Sequence, residues 1–214
     1  MTRLRLAATA LAALVLSGCV GALPGSGTPP KLYDLSPKST FDPSLPKVPW
    51  QIIVQEPVAA ASIDTNRVAV RQSALSVEYF KGVAWADRAP RLVQTLIIES
   101  FENTGKILSV GREAVGLRAD YLVKTELREF EADYTKSARP VAVVRLNVKL
   151  VRMPERSIVA NETFSMETEA GGTAIEPIMA AFDDALGNVL KRTVEWTLRA
   201  AAALPRPSNP ASGG

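Results

Sequence analysis

The chain has 214 residues, of which 47% are apolar, 22% charged and 6% aromatic, a globular composition with length enough for one domain with a core. It holds no histidine and one cysteine, which excludes a Ser-His-Asp or Cys-His nucleophile, a His-ligated zinc site and an intrachain disulfide. The 25 Lys and Arg against 22 Asp and Glu give a formal charge of +3, and loss of Arg3 and Arg5 with the leader described next leaves +1, too weak a field to suggest nucleic acid.

Residues 1–18 read as a lipoprotein signal peptide. Arg3 and Arg5 precede an apolar run from Leu6 to Leu16, well short of the roughly 20 residues that cross a bilayer. The run ends in Leu16-Ser17-Gly18-Cys19, which resembles a bacterial lipobox. Small residues at Ser17 and Gly18 suit a peptidase cleft, and the Cys19 thiol accepts diacylglycerol. Acyl chains of the palmitate kind on Cys19 are the one covalent group expected, with no metal and no other cofactor. Several chains on one residue exceed the two-signal threshold for stable anchoring, at ~0.8 kcal/mol per buried CH₂. Val20 stands where lipoproteins kept at the inner membrane of enteric bacteria carry Asp, so the expected address is the outer membrane, facing the periplasm.

Seven of the fifteen prolines lie between Val20 and Trp50 and three in residues 201–214. Residues 19–30, with the run GALPGSGTPP, read as a flexible tether whose last ten residues span at most about 35 Å. Residues 31–200 read as the domain and 201–214 as a disordered tail. Within the domain a short first strand covers Lys31–Leu35, followed by a proline-broken passage to Trp50. Strands are predicted at Gln51–Gln55 and Asn66–Gln72, with Leu75–Phe80 as hairpin partner.

Asp87 is the expected cap of a first helix with Pro90 in its first turn and Gly105 as its stop. Leu92, Val93, Leu96, Ile97, Ser100 and Phe101 form its inner face, with Gln94 and Thr95 outside. Three strands follow at Ala119–Glu131, Ala142–Val151 and Ser157–Thr168. The second alternates Val144, Leu146, Val148 and Leu150 against Arg145, Asn147 and Lys149. The third places Ile158, Ala160, Phe164 and Met166 on one side. A last helix begins either with Thr173 as cap and Glu176 completing a capping box, or at Glu176 with Pro177 first, and ends near Ala200. The fold expected is a single α/β (α+β) domain, a largely antiparallel sheet with two main helices packed on one face.

No catalytic constellation stands out. Asp183 and Asp184 beside Asn188 read as an exposed helix face before a metal corner. Gly111 and Gly116 with Arg112 and Arg118 read as a surface loop before a phosphate nest. Glu126, Glu129, Glu131 and Asp133 read as solvated strand residues before a carboxylate pair. Tyr79, Phe80 and Trp85 divide between a core role and an aromatic contact surface for a protein partner or an acyl chain.

The order of the lipobox cysteine, Tyr33-Asp34-Leu35, a strand ending in Pro57, the Arg67–Arg71 strand, Tyr79, the Trp85-Ala86-Asp87 helix start, two β-arms and a long last helix resembles the ABC-type transport auxiliary lipoprotein family. That family includes the paraquat-inducible C-type lipoproteins that accompany lipid transporters built from MCE (mammalian cell entry) domain proteins. Here Arg88 and Ala89 intervene before Pro90, where members show a Trp-Ala-Glu/Asp-Pro start. The resemblance implies a non-enzymatic lipoprotein on the periplasmic side of the outer membrane. Its partners would be an MCE-domain protein and the associated ABC transporter, with homo-oligomers on a ring-shaped partner. The transported material would be phospholipid or another hydrophobic molecule. The competing expectation is a periplasmic carrier holding an acyl chain between helices and sheet. Replacing Cys19 by Ser should release the protein into the soluble periplasmic fraction or leave the precursor uncleaved, read by fractionation and immunoblot; normal processing with unchanged membrane retention would contradict lipidation.

Overall fold

One strand, Tyr121–Asp133, pairs with four others, and it organises the sheet. The structure, a computed structural model, describes residues 28–113 and 118–204. Leu16, Ser17, Gly18 and Cys19, the tether to Gly27, Gly116 and the tail from Pro205 lie outside the described residues. In chain order the described elements are β1 (Lys31–Tyr33), β2 (Val48–Val54), β3 (Val58–Ala59), β4 (Arg67–Ser73) and β5 (Ser76–Trp85). Helix α1 (Ala89–Thr104), β6 (Ile107–Gly111), β7 (Tyr121–Asp133), β8 (Val141–Arg152), β9 (Ser157–Glu169) and helix α2 (Ile175–Ala202) complete them.

Strand β7 pairs antiparallel with β8 from Tyr121↔Arg152 to Asp133↔Val141, and β8 pairs in turn with β9 from Arg152↔Ser157 to Val141↔Glu169. These long ladders form the expected meander. The other edge of β7 is tiled by three short strands running parallel to it: β2 at Tyr121–Val123, β3 at Glu126–Leu127 and β4 at Glu131–Asp133. Beyond β2 lies β6, parallel, and beyond β4 lies β5, antiparallel, with β1 on its far edge. The sheet is therefore largely antiparallel by length of ladder, with short parallel pairings that sequence periodicity did not reveal. Strands β3 and β6 are additions to the expected set.

The helices close one face. Val144, Leu146, Val148 and Leu150 of β8 are fully buried there, beneath Ile178, Phe182, Ala185, Val189 and Leu190 of α2. Val93, Ile97 and Phe101 of α1 join the same core. Expected caps give way to tertiary contacts. Arg88, not Asp87, precedes α1 and makes no side-chain cap bond; the Asp87 carboxylate accepts the Arg88 N–H instead. The Thr173–Glu176 capping box does not form, because the Glu176 carboxylate accepts from Lys31 Nζ (2.9 Å) and the Tyr33 hydroxyl (3.2 Å). Helix α1 ends at Gly105 as expected, with φ 59°, a left-handed position that suits glycine. Ile158 is 61% exposed and not on the side of Phe164, since a bulge between Leu150 and Val151 shifts the β8–β9 register by one residue.

The proline-broken passage before β2 is an ordered strap across both helices. Its amide of Ser36 donates to Asp183 of α2 (2.7 Å), that of Lys38 to Ser100 of α1 (2.9 Å), and that of Asp42 to Glu195 of α2 (3.0 Å). Asn103 of α1 donates to the Lys38 carbonyl, and Arg199 of α2 grips the Asp42 carboxylate. Leu35 and Leu45 bury their side chains. A segment without a ladder thus satisfies its backbone through helix side chains, as buried or half-buried peptide groups require.

The ion pairs of this strap give it an acid sensitivity. The Ser44 hydroxyl and amide, with Arg199 behind them, hold the Asp42 carboxyl below the usual carboxylate range. Burial pushes Glu195 up, but its bonds from Lys191 and the Asp42 amide outweigh that and bring it below the usual range. Groups lowered in the folded state stabilise it above their ordinary pKa and lose that contribution as pH falls through the lowered value. The melting temperature should therefore fall between about pH 5 and pH 3, and Glu195→Gln should flatten that fall; an unchanged slope in the variant would contradict the assignment.

Candidate functional site

The three aromatics singled out in the sequence separate in space. Trp85 is 1% exposed. Its ring lies 5.1 Å from both Phe130 and Phe182, which are themselves 5.2 Å apart. It belongs to the core and is not a contact residue. The strand reaches it through a distortion: between the pairs Ala69↔Tyr79 and Arg67↔Ala84, β5 takes up extra residues around Gly82, whose φ is 70°. Tyr79 and Phe80 are half-buried. Tyr79 donates its hydroxyl to the Ser62 carbonyl (3.0 Å) and carries the Arg67 guanidinium 3.6 Å above its ring, while Phe80 packs against Tyr134.

The same Trp85, Phe130 and Phe182 rings occupy the space between helices and sheet where an acyl chain would have to lie. Tyr121, Val123, Leu127, Leu186 and Val194 extend that packing with almost no exposure.

The candidate carboxylates are engaged elsewhere. Glu131, 5% exposed, takes both Nε (2.5 Å) and Nη2 (3.2 Å) of Arg71, a two-pronged pair that holds β4 to β7 and raises the guanidinium pKa. Glu129 faces Arg145 at 2.9 Å and Glu126 faces Arg128 at 2.9 Å. Asp133 closes the turn at Thr135, accepting from its amide and hydroxyl. On α2, Asp183 serves the strap, Asp184 accepts the Thr168 hydroxyl, and Asn188 donates back to Asp184. Among the described residues no group of three or more Cys, Asp or Glu is placed to hold a metal ion. Nor is any described helix long and apolar enough to cross a membrane.

Arg112 is fixed to the helix layer. Gln94, expected outside, is buried, donates to the Val54 carbonyl (3.0 Å) and accepts from Arg112 Nε (3.2 Å), while Arg112 Nη2 donates to Thr95 (2.6 Å). Of the other residues read as a surface loop, Gly111 ends β6.

The open face of the sheet carries a feature that the sequence reading did not single out. Lys124 of β7 and Lys149 of β8 are direct cross-strand partners. They border a cleft of about 310 Å³ together with Gln55, Glu56, Thr125 and Asn147. The cleft lies where the β7 edge changes partner, since β2 ends its pairing at Val123 and β3 begins at Glu126. Each lysine fits the polar half of an alternating strand, and only the register brings the two together.

The chain belongs to the family of ABC-type transport auxiliary lipoprotein components, whose pattern matches residues 32–194. Its fold is similar to the crystal structure of a Xanthomonas campestris protein, 32% identical, covering 80% of this chain and 97% of that one with a TM-score of 0.76. A second solved structure, of an uncharacterised protein, is 10% identical and covers 79% of this chain and 99% of its own at a TM-score of 0.63, which shows the shared fold. An uncharacterised protein of Bradyrhizobium diazoefficiens is 28% identical over 180 residues, 82% of this chain, and the chain spans 47% of that relative's length.

Replacing Trp85 by Ala should destabilise the domain by about 3–5 kcal/mol, as for other large aromatics removed from a packed core. Urea titration reads this directly. A loss under about 1 kcal/mol would return Trp85 to the surface.

Proposed function

We propose that this protein is a non-catalytic docking subunit of an ABC transport system, tethered through lipid on Cys19 to the periplasmic side of the outer membrane. In this reading residues 19–30 give the reach, and the domain binds an MCE-domain protein that connects to an inner-membrane ABC transporter moving phospholipid or another hydrophobic molecule. Several copies of the domain would match a ring-shaped partner. The family match over residues 32–194 supports the transport role. The observation that favours docking over carriage is the filled interior, where Trp85, Phe130 and Phe182 occupy the place of an enclosed cargo. A domain whose described aromatic core is packed in this way acts through its surface.

The test is to tag the lipoprotein at Gly214, cross-link intact cells and identify what co-purifies in mild detergent. Recovery of an MCE-domain protein with ABC transporter subunits is the expected result, with self-adducts if copies assemble. Phospholipid recovered without any protein partner would contradict docking and favour the carrier.

A further inference from the structure

We propose that the turn between β4 and β5, with Leu75 at its tip, dips into the phospholipid surface to which the chain is anchored and fixes which end of the domain faces that membrane. Leu75 is 99% exposed, the most exposed of the large apolar side chains among the described residues. It shares a tight turn with Ala74, closed by the Ser73↔Ser76 pair and by a hydrogen bond between their hydroxyls (2.7 Å). Hairpin turns of this length are ordinarily made of Asn, Asp and Gly, which suit both the backbone and water. A leucine at this place buries nothing in the fold, and its exposure costs free energy until an apolar phase takes it. The run from Gln72 to Val77 carries no charge, so nothing in the tip itself opposes entry into lipid.

The residues behind the tip suit the same boundary. Arg71 is held by Glu131 (2.5 Å) and donates to the Ala74 carbonyl (3.3 Å), which braces the turn against β7. The Tyr134 amide donates to the Arg71 carbonyl (2.9 Å), so the β7–β8 turn lies alongside, and the half-buried Tyr134 packs on Phe80. On that turn Lys136 pairs with Glu167 and Arg139 with Glu169. An amphipathic tyrosine one layer behind an apolar tip matches the headgroup level of a bilayer. The length of chain before the domain favours a membrane as the occupant. The first strand begins at Lys31, which pairs with Val83, next to the Ala84↔Arg67 pair. From that level β4 runs from Arg67 to Ser73, about 20 Å. Residues 19–30 span at most about 40 Å, so lipid on Cys19 and the Leu75 tip can meet one membrane plane. Tethering raises the local concentration of that plane, which lets a single leucine engage where a free domain would not. Resting on the lipid-anchor reading of Cys19, this contact adds an orientation: the Met153–Arg156 turn, at the other end of the β7–β8 ladder, points away from the membrane.

The experiment is photo-crosslinking of the full-length lipoprotein in vesicles of phosphatidylethanolamine and phosphatidylglycerol that contain a phosphatidylcholine with a diazirine on its acyl chain. Lipid adducts are located by mass spectrometry, and the same spectra report the acyl mass on Cys19. Residues 72–77 should carry about fivefold more adduct than residues 153–156, and Leu75→Ser should cut it by about tenfold, the factor expected from transferring one leucine side chain out of water. The variant should melt at the native temperature, since the side chain it alters is 99% exposed. Adduct spread equally over both turns, or undiminished in Leu75→Ser, overturns the proposal. Acylated Cys19 without adduct at the tip refutes the contact and leaves the anchor standing. Adduct at the tip without acyl mass on Cys19 supports the contact and refutes the anchor.

Discussion

The domain depends on β7, which is paired along one edge by a long strand and covered on the other by three short ones. A strand of 13 residues, Tyr121–Asp133, is paired on one side by β8 over its whole length and on the other by β2, β3 and β4 in succession. Its backbone polar groups are thereby drawn into the sheet interior, where unpaired groups are costly. The tiling also locates the other elements. Helix α1 carries the chain from β5 to β6, which lies beyond β2, and α2 covers the meander. The strap of residues 34–47 crosses both helices and pins them through Asp183, Ser100 and Glu195.

Packing then shapes function by removing alternatives. Phe130 of β7, Trp85 of β5 and Phe182 of α2 meet at ring distances of 5.1–5.2 Å, so elements far apart in sequence close on one another. The charged groups that sequence alone offered as catalytic candidates hold strands and turns together, as Arg71 and Glu131 do between β4 and β7. What is left to act is surface: the open clefts, the half-buried Tyr79 and Phe80, and the two lysines facing each other across β7 and β8.

The parts of the fold legible in the sequence were those fixed by short-range periodicity. Alternation from Val144 to Leu150 gave β8 and its inward face, and three-and-four spacing gave the buried face of α1 apart from Gln94. Gly105 marked the end of α1 because a left-handed residue there leaves few substitutes for glycine. Strand β3 is two residues after Pro57, too short for any period, and β6 exposes Leu108 at 67%, so its apolar run follows no simple alternation. Trp85 sits beyond a distorted stretch of β5 that resembles a loop locally. Glu176 has the spacing of a capping box and is taken by Lys31, a partner far away in sequence. The Ile158 side was misjudged because one bulge reverses strand parity. Lys124 and Lys149 are ordinary polar-face residues until register opposes them. In each case the missing information was non-local pairing, which a linear pattern does not carry.

The central claim is that the interior is closed and the protein works from its surface. Amide hydrogen exchange on the full-length chain, with and without diacyl phospholipid, tests this most directly. Amides of β7, β8 and the inner turns of α2 should exchange only at the rate of global unfolding, unchanged by lipid. Sub-global opening of these elements, closed again when phospholipid is added, would contradict the account.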